Sequence, residues 1–161
     1  MKLRKLEQRD APLMLEWMHD NSVVGHLATN FSEKTIEDCQ QFIDWSLQTD
    51  TDLHLAIADD HDEYMGTVSL KHIHDGTAEF AITIRSCAMG KGYSAYGMQM
   101  ILNMGIQELG LRNIYWCVDR VNVRAVRFYD KNGYLRTEQV PPAILDGYDP
   151  LQRQNYIWYV F

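Results

Sequence analysis

Met89-Gly90-Lys91-Gly92-Tyr93-Ser94 is a glycine-rich bend that separates a strand-like run from a long helical run. Residues 78–85, which precede it, are mostly apolar or β-branched, and the helical pattern after it ends near Gly110. A helix that begins on a bare glycine backbone offers N–H groups and the positive end of its dipole to an anion. This stretch therefore predicts a phosphate-bearing ligand held between residues 82 and 97.

The remaining sequence alternates between strand patterns and helix patterns. Helices are predicted from Asp10 as N-cap, from a capping box at Thr35, over 91–109 with Gly110 as C-cap, and over 122–131 with Asn122 as N-cap. Strands are predicted at 3–6, 53–58, 65–73, 77–85, 113–118, 134–139 and 155–160, with 20–31 as a loop. This order predicts an α/β fold in which residues 1–161 form one domain, with a single mixed, mostly antiparallel sheet and helices on both faces.

The composition narrows the class of protein. The chain has 161 residues and a net charge of −7, from 15 basic and 22 acidic side chains. This balance argues against a nucleic-acid partner and favours cationic small molecules. No apolar run predicts a membrane span or a secretory signal, so we expect a cytoplasmic protein. The three cysteines are widely spaced, and we expect neither disulfides nor a metal site.

The bend can be compared with two known phosphate-binding motifs. Gly90-x-Gly92-x-x-Ala95 also matches the dinucleotide fingerprint, with Asp119 placed 24 residues beyond Ala95. However, only 66 residues follow Ala95 and three strands precede the bend, so the surrounding βαβ topology is missing. A Walker loop is excluded because Gly-x-x-x-x-Gly-Lys-Ser/Thr is absent. A nicotinamide-dinucleotide domain is therefore disfavoured.

A second signature lies downstream, Asn122-x-x-Ala125-x-x-Phe128-Tyr129-x-Lys131-x-Gly133-Tyr134. With the Gly-x-Gly bend, it makes nearly the whole chain resemble the GCN5-related N-acetyltransferase (GNAT) superfamily. The run 78–82 followed by the bend is similar to the spermidine and ribosomal-protein acetyltransferase branch. The resemblance implies the GNAT (acyl-CoA N-acyltransferase) fold and direct acetyl transfer from acetyl-CoA to a primary amine in a ternary complex.

The resemblance also implies where the coenzyme lies. Its pantetheine arm would run along the backbone of Ile82, Thr83 and Ile84, where an N–H group would polarise the thioester carbonyl. Its diphosphate would bind the loop made of Met89, Gly90, Lys91, Gly92, Tyr93 and Ser94. The family's loop is usually Gln/Arg-x-x-Gly-x-Gly/Ala, so Met89 and Ser94 depart from it at both ends. We expect the backbone to hold phosphate despite these changes, with Lys91 supplying the missing side-chain contact.

Tyr129 matches the family's helix tyrosine, and the implied role is to protonate the departing thiolate. It stands seven residues after Asn122, two helical turns on, so the two share a helix face. Asn122 would contact the coenzyme or the substrate in addition to capping its helix. Cys87 lies beside the loop, where a nucleophile would imply an acetyl-enzyme intermediate. No sequence pattern links a His or an Asp to Cys87, and we expect Cys87 to be a packing residue.

The sequence indicates the general base less clearly than the general acid. Glu79 lies on the strand before the bend, and partial burial would raise the pKa of its carboxyl toward a useful range. Some family members use a carboxylate on this strand, often through water. His72 and His74 are alternatives because imidazole titrates near neutrality, although they stand at a predicted hairpin end. The three residues are therefore kept as candidates, with Glu79 first.

The acceptor has no motif in the sequence. The family commonly lines the acceptor pocket with the region that here holds Trp17, His19 and Phe31, although packing is the expected role of Trp17. Nearby acidic side chains would attract a cationic amine, namely Glu16, Asp20 and Glu33. A polyamine, an amino sugar, an aminoglycoside antibiotic, an amino acid and a protein N-terminus all fit as small-molecule or peptide acceptors.

Two further possibilities follow from the same residues. The departures at Met89 and Ser94 allow an alternative function, a coenzyme A-binding sensor or partner module without turnover. Release of free thiol from acetyl-CoA across a panel of amines separates this module from an enzyme. Dimers formed through edge strands are common in this fold, so a homodimer is a possible assembly.

Overall fold

The computed structural model of the protein describes all 161 residues and contains one seven-stranded sheet. The strands are β1 (Lys2–Lys5), β2 (Leu53–Ala58), β3 (Tyr64–His74), β4 (Thr77–Ile84), β5 (Asn113–Asp119), β6 (Leu135–Arg136) and β7 (Tyr156–Val160). Their order across the sheet is β1-β2-β3-β4-β5-β7-β6. Only the β4–β5 pair is parallel, which confirms the predicted mixed, mostly antiparallel sheet.

Seven α-helices connect these strands. They are α1 (Ala11–Met18), α2 (Asn21–Val24), α3 (Ile36–Ser46), α4 (Tyr93–Gln107), α5 (Val123–Lys131), α6 (Pro142–Leu145) and α7 (Pro150–Arg153). Helices α4 and α5 are the next α-helices after β4 and β5, and each begins beyond the carboxyl end of its strand. No helix combines the length and the apolarity that a membrane crossing needs.

Each face of the sheet carries its own core. On the first face, α4 and α5 cover a core of 15 buried residues that includes Ile57, Phe80 and Trp116. Helix α4 lies so close to the strands that a Cβ on Gly97 would stand 2.4 Å from Ile57 Cδ1. On the second face, α1 and α3 cover a core of nine buried residues, and Val140, Ile144 and Trp158 form a third, smaller cluster. Helices therefore lie on both faces, as predicted.

Strands β4 and β5 pair over three positions only and then separate. The pairing begins at Thr77 with Asn113 and ends at Glu79 with Tyr115. Beyond this point β4 stays paired with β3 as far as Ile84, while β5 stays paired with β7 as far as Asp119. A V-shaped gap therefore opens inside the sheet, with Glu79 at its apex and the glycine bend at its mouth. We call it the β4–β5 gap.

Most predicted elements match the structure within two residues. The capping box of α3 is present, with Thr35 Oγ1 accepting from the Asp38 amide and the Asp38 carboxylate accepting from the Thr35 amide. Asn122 caps α5, since its Oδ1 accepts from the Ala125 amide at 3.3 Å. These are local signals, and neighbouring residues alone decide them.

Other predictions were wrong. Residues 134–139 form a strand only at Leu135–Arg136, and the loop 20–31 contains α2. The segment after Pro141, for which no element was predicted, contains α6 and α7. Asp10 stands at the N-cap position of α1 without capping it, because its carboxylate binds Arg4 and the Glu7 amide. Helix α4 ends with Glu108 as its C-cap, and Gly110 follows in a left-handed conformation with φ +67°.

Candidate active site

The glycine bend delivers an uncapped helix end to the mouth of the β4–β5 gap. Gly92 is the N-cap of α4 with φ +89°, and no side chain bonds the first turn of this 15-residue helix. The amides of Tyr93, Ser94 and Ala95 have no acceptor within the protein. Gly90 also takes a left-handed conformation, with φ +76°. Such an array of free N–H groups suits an anion, so the residues present fit a diphosphate.

Helices α4 and α5 begin side by side, because the strands before them start as a parallel pair. The Arg124 guanidinium in the first turn of α5 reaches the bend, with Nη1 3.8 Å from Met89 Sδ. Lys91 is exposed in the bend itself. Asn122 lies at the start of α5, where its side chain caps the helix. The expected contact between Asn122 and the coenzyme stays a prediction. Sequence reasoning missed Arg124, since no pattern links it to Met89.

The edge of β4 presents free backbone groups to the gap. The Arg85 amide donates to the Met65 carbonyl at 2.9 Å, which fixes the alternation along β4. Odd-numbered residues such as Thr83 therefore bond β3, and the N–H and C=O groups of Ile82 and Ile84 face the gap. Of the three residues predicted to bind pantetheine through backbone groups, two are placed to do so.

Tyr129 packs over β5 and β7 on the first face of the sheet. Its buried ring lies 5.5 Å from Trp116 and 5.0 Å from Tyr159, measured between ring centroids. Its hydroxyl makes no hydrogen bond within the protein, whereas the Tyr159 hydroxyl donates to Asp130 Oδ1 at 2.9 Å. Burial raises the pKa of Tyr129 above its ordinary value, so the phenol stays protonated at neutral pH. The buried Trp116 Nε1 also has no acceptor.

Glu79 stands at the apex of the gap on the second face and is only 3% exposed. The Tyr148 hydroxyl, from the segment between α6 and α7, donates a hydrogen bond to Glu79 Oε1. Lys71 Nζ lies 3.9 Å from Oε1, and His72 Nε2 lies 3.6 Å from Oε2. Burial and the nearby charges raise the pKa of Tyr148, so this phenol remains a donor. Nothing in the sequence signalled Tyr148, which is 69 residues from Glu79.

The two histidines considered as bases differ in position. His72 is exposed at an irregularity of β3, with φ +54°, and lies between Glu79 and solvent. His74 is exposed beside Asp75, with its Nε2 3.0 Å from Oδ2 of that residue. The structure thus brings His72 to Glu79 and leaves His74 beside the Asp75 carboxylate.

The expectation that Cys87 is a packing residue was wrong. Its side chain is exposed on the short turn 86–88 that follows β4. The turn carries the chain from the sheet edge to the glycine bend, which leaves position 87 in solvent. No histidine forms a hydrogen bond or an ion pair with Cys87.

The region between α1 and α3 contains a surface cavity of about 380 Å³ that includes His19 and Phe31 in its lining. Trp17 is a packing residue, as expected, because it is buried and its Nε1 donates to the Tyr64 hydroxyl at 2.9 Å. Two of the three acidic side chains expected to attract an amine make other contacts. Glu16 binds Arg85 at 3.0 Å, and Asp20 caps α2.

Comparisons with known proteins agree with this arrangement. The family model described as "Acetyltransferase (GNAT) domain" matches residues 1–135. An uncharacterized N-acetyltransferase p20 from Bacillus licheniformis is 26% identical over 159 residues, covering 92% of this chain and 89% of the relative. The spermidine N(1)-acetyltransferase of Escherichia coli K12 is 25% identical over 136 residues, covering 83% of this chain and 72% of the relative.

Solved structures share the fold. A spermidine N-acetyltransferase from Vibrio cholerae, in complex with CoA and spermine, superposes with a TM-score of 0.81 at 19% identity, covering 99% of this chain and 94% of that one. A GNAT-family acetyltransferase from Bacillus anthracis gives a TM-score of 0.74 at 18% identity, covering 99% and 92%. The expected fold is therefore confirmed.

Proposed function

The chain belongs to the GNAT acetyltransferase family, and from this premise we propose how it uses acetyl-CoA and which amines it acetylates. As a member of this family it is an acyltransferase that acetylates amines. In our proposal, residues 1–161 act as one catalytic domain. The donor is acetyl-CoA, the β4–β5 gap is the site of transfer, and the acceptor is a cationic aliphatic amine.

The observation that carries this proposal is the gap itself. Its mouth holds an array of free amides at Tyr93, Ser94 and Ala95, and its β4 edge offers the backbone groups of Ile82 and Ile84. Pantetheine contains two amides, which pair with a free strand edge as an added strand would. An N–H group of Ile82 or Ile84 would then polarise the thioester carbonyl near the apex.

The proposed acid and base lie on opposite faces of the sheet. The amine nitrogen attacks the thioester carbonyl carbon, a C–N bond forms, and the C–S bond breaks. Glu79 takes the amine proton, directly or through water, because an aliphatic ammonium with a pKa of about 10 must first be deprotonated. Tyr129 donates its phenolic proton to the departing sulfur. His72, between Glu79 and solvent, is placed to pass the proton on.

Tyr148 limits how an acceptor can reach Glu79. Its hydroxyl donates a hydrogen bond to the Glu79 carboxylate, and the segment between α6 and α7 that carries it covers the apex on the second face. An acceptor that reaches Glu79 from this face contacts or displaces Tyr148. We therefore assign Tyr148 to the acceptor side of the site.

Polyamines are the acceptors that we place first. The chain's net charge of −7 and the carboxylate at the apex favour a cationic acceptor. Relatives include a spermidine N(1)-acetyltransferase, and a protein of similar fold was solved with CoA and spermine. Amino sugars, aminoglycosides, amino acids and peptide N-termini are the other acceptors for comparison.

The test is release of free thiol from acetyl-CoA at saturating donor, measured with spermidine, spermine, glucosamine, an aminoglycoside and an N-terminal peptide. We expect spermidine or spermine to give the highest kcat/KM, with mass spectrometry showing one added acetyl group on the amine. A higher value for another amine would reassign the acceptor. No release above the amine-free rate with any of them would refute the proposal.

A further inference from the structure

The departure at Met89 leaves the bend without the side chain that usually stands there in this family. Across the bend, the exposed Arg124 places its guanidinium over this position. Nη1 lies 3.8 Å from Met89 Sδ, and Nη2 lies 3.9 Å from where a Cβ on Gly90 would stand. Gly90 has no side chain, so nothing separates the guanidinium from the bend's backbone.

Arg124 is also one of the few arginines without an oxygen partner. The chain has nine arginines, and seven of them donate to a carboxylate or to a backbone carbonyl, namely Arg4, Arg9, Arg85, Arg112, Arg120, Arg136 and Arg153. The other two, Arg124 and Arg127, make no hydrogen bond to oxygen. Of these two, only Arg124 contacts the bend, where its one polar contact is a weakly accepting thioether.

We propose that Arg124 binds the coenzyme diphosphate, supplying from α5 the side-chain contact that Met89 cannot make. This inference rests on the proposed function and deepens it. A guanidinium matches phosphate oxygens with two parallel N–H donors, which the point charge of Lys91 does not do. The free amides of α4 and the Arg124 fork then bind the diphosphate from two sides. The role assigned above to Lys91 passes in part to Arg124.

The experiment is calorimetric titration of four proteins: wild type, Arg124→Gln, Arg127→Gln and the double variant Met89→Arg/Arg124→Gln. Each is titrated with CoA and with 3′-dephospho-CoA, which keeps the diphosphate and lacks the 3′-phosphate. Arg127→Gln is the matched control, because it makes the same change three residues further along the same helix. Thermal unfolding of each variant checks that the fold is kept.

We expect Arg124→Gln to raise Kd by about 10- to 100-fold for both ligands, the usual loss when a charged hydrogen bond is removed. Arg127→Gln should stay within about threefold of wild type, since a screened charge without contact contributes little. The double variant should regain most of the lost affinity, because it restores an arginine at the bend.

Three results would overturn the inference. They are an unchanged Kd in Arg124→Gln, equal losses in the two arginine variants, or a loss seen with CoA alone, which would assign Arg124 to the 3′-phosphate. If wild type binds neither ligand, the proposed function fails first and this inference fails with it. If wild type and Arg124→Gln bind CoA equally well, only the assignment of Arg124 fails.

Discussion

Replacing Tyr129 by Phe removes one hydroxyl and leaves the aromatic packing in place. The ring keeps its contacts with Trp116, Tyr134 and Tyr159, at centroid distances of 5.5, 6.3 and 5.0 Å. The hydroxyl makes no hydrogen bond within the protein, so its removal breaks none. We therefore expect the free energy of unfolding to change by less than about 1 kcal/mol, since no hydrogen bond within the protein is lost.

The expected effect on turnover is large. If the phenol protonates the departing thiolate, kcat should fall by roughly 10²- to 10⁴-fold, which is about 3 to 5 kcal/mol of activation free energy. The Kd for CoA should change little, because the ring remains. Burial raises the pKa of Tyr129, so the acid form persists and wild-type kcat should show no alkaline loss from this group below about pH 10.

Tyr159→Phe is the matched control. It removes a hydroxyl from a neighbouring ring on the same face, but this hydroxyl donates to Asp130 Oδ1 at 2.9 Å. The two variants should therefore behave in opposite ways: Tyr159→Phe lowers the urea midpoint and keeps kcat, whereas Tyr129→Phe keeps the midpoint and loses kcat. Thiol release at saturating acetyl-CoA and urea unfolding monitored by fluorescence measure the two quantities. A wild-type kcat in Tyr129→Phe, or equal kcat losses in both variants, would refute the assignment.

Three further changes test other parts of the site and fold. Gly92→Glu puts an anion into the phosphate cradle and a Cβ where φ is +89°, so the Kd for CoA in calorimetry should rise by roughly 100-fold or more, while circular dichroism retains the helix signal. Glu79→Gln should lower kcat/KM by about 100-fold near pH 7. This loss should shrink as pH approaches the amine pKa of about 10, because the amine then loses its proton without help. A loss that does not depend on pH would argue against Glu79 as the base. Hydrogen bonds from Lys2 and Arg9 lower the pKa of Asp62 below 3.8, so its stabilising effect is present above that pH and is lost as pH falls through the lowered pKa. The melting temperature of Asp62→Asn should accordingly lie below wild type at pH 7 and converge with it in strong acid.

Local chemistry explains which parts of the site could be predicted from the sequence. The glycine bend, the Asn122 cap and the strand at Glu79 are decided by neighbouring residues, so their patterns were enough. The burial of Glu79 was not predictable in this way, because it depends on Tyr148, 69 residues away. Arg124 likewise meets Met89 across 35 residues, through the parallel start of β4 and β5. Contacts of this kind depend on the topology of the sheet and have no sequence period.

One topological feature produces both halves of the site. Because β4 and β5 start as a parallel pair, their carboxyl ends point the same way, and the two helices that follow begin at the same edge of the sheet. Because β5 then pairs with β7 only, β4 is left beyond Glu79 with a row of unpaired backbone groups inside the sheet. Unpaired strand edges are normally a liability. Here we propose that the edge binds a ligand that is long, carries amides along its length and ends in an anion at the helix N-termini. Coenzyme A has this shape, and in our proposal an acyl group on its sulfur reaches the apex, where Tyr129 acts as the acid from one face of the sheet and Glu79 acts as the base from the other.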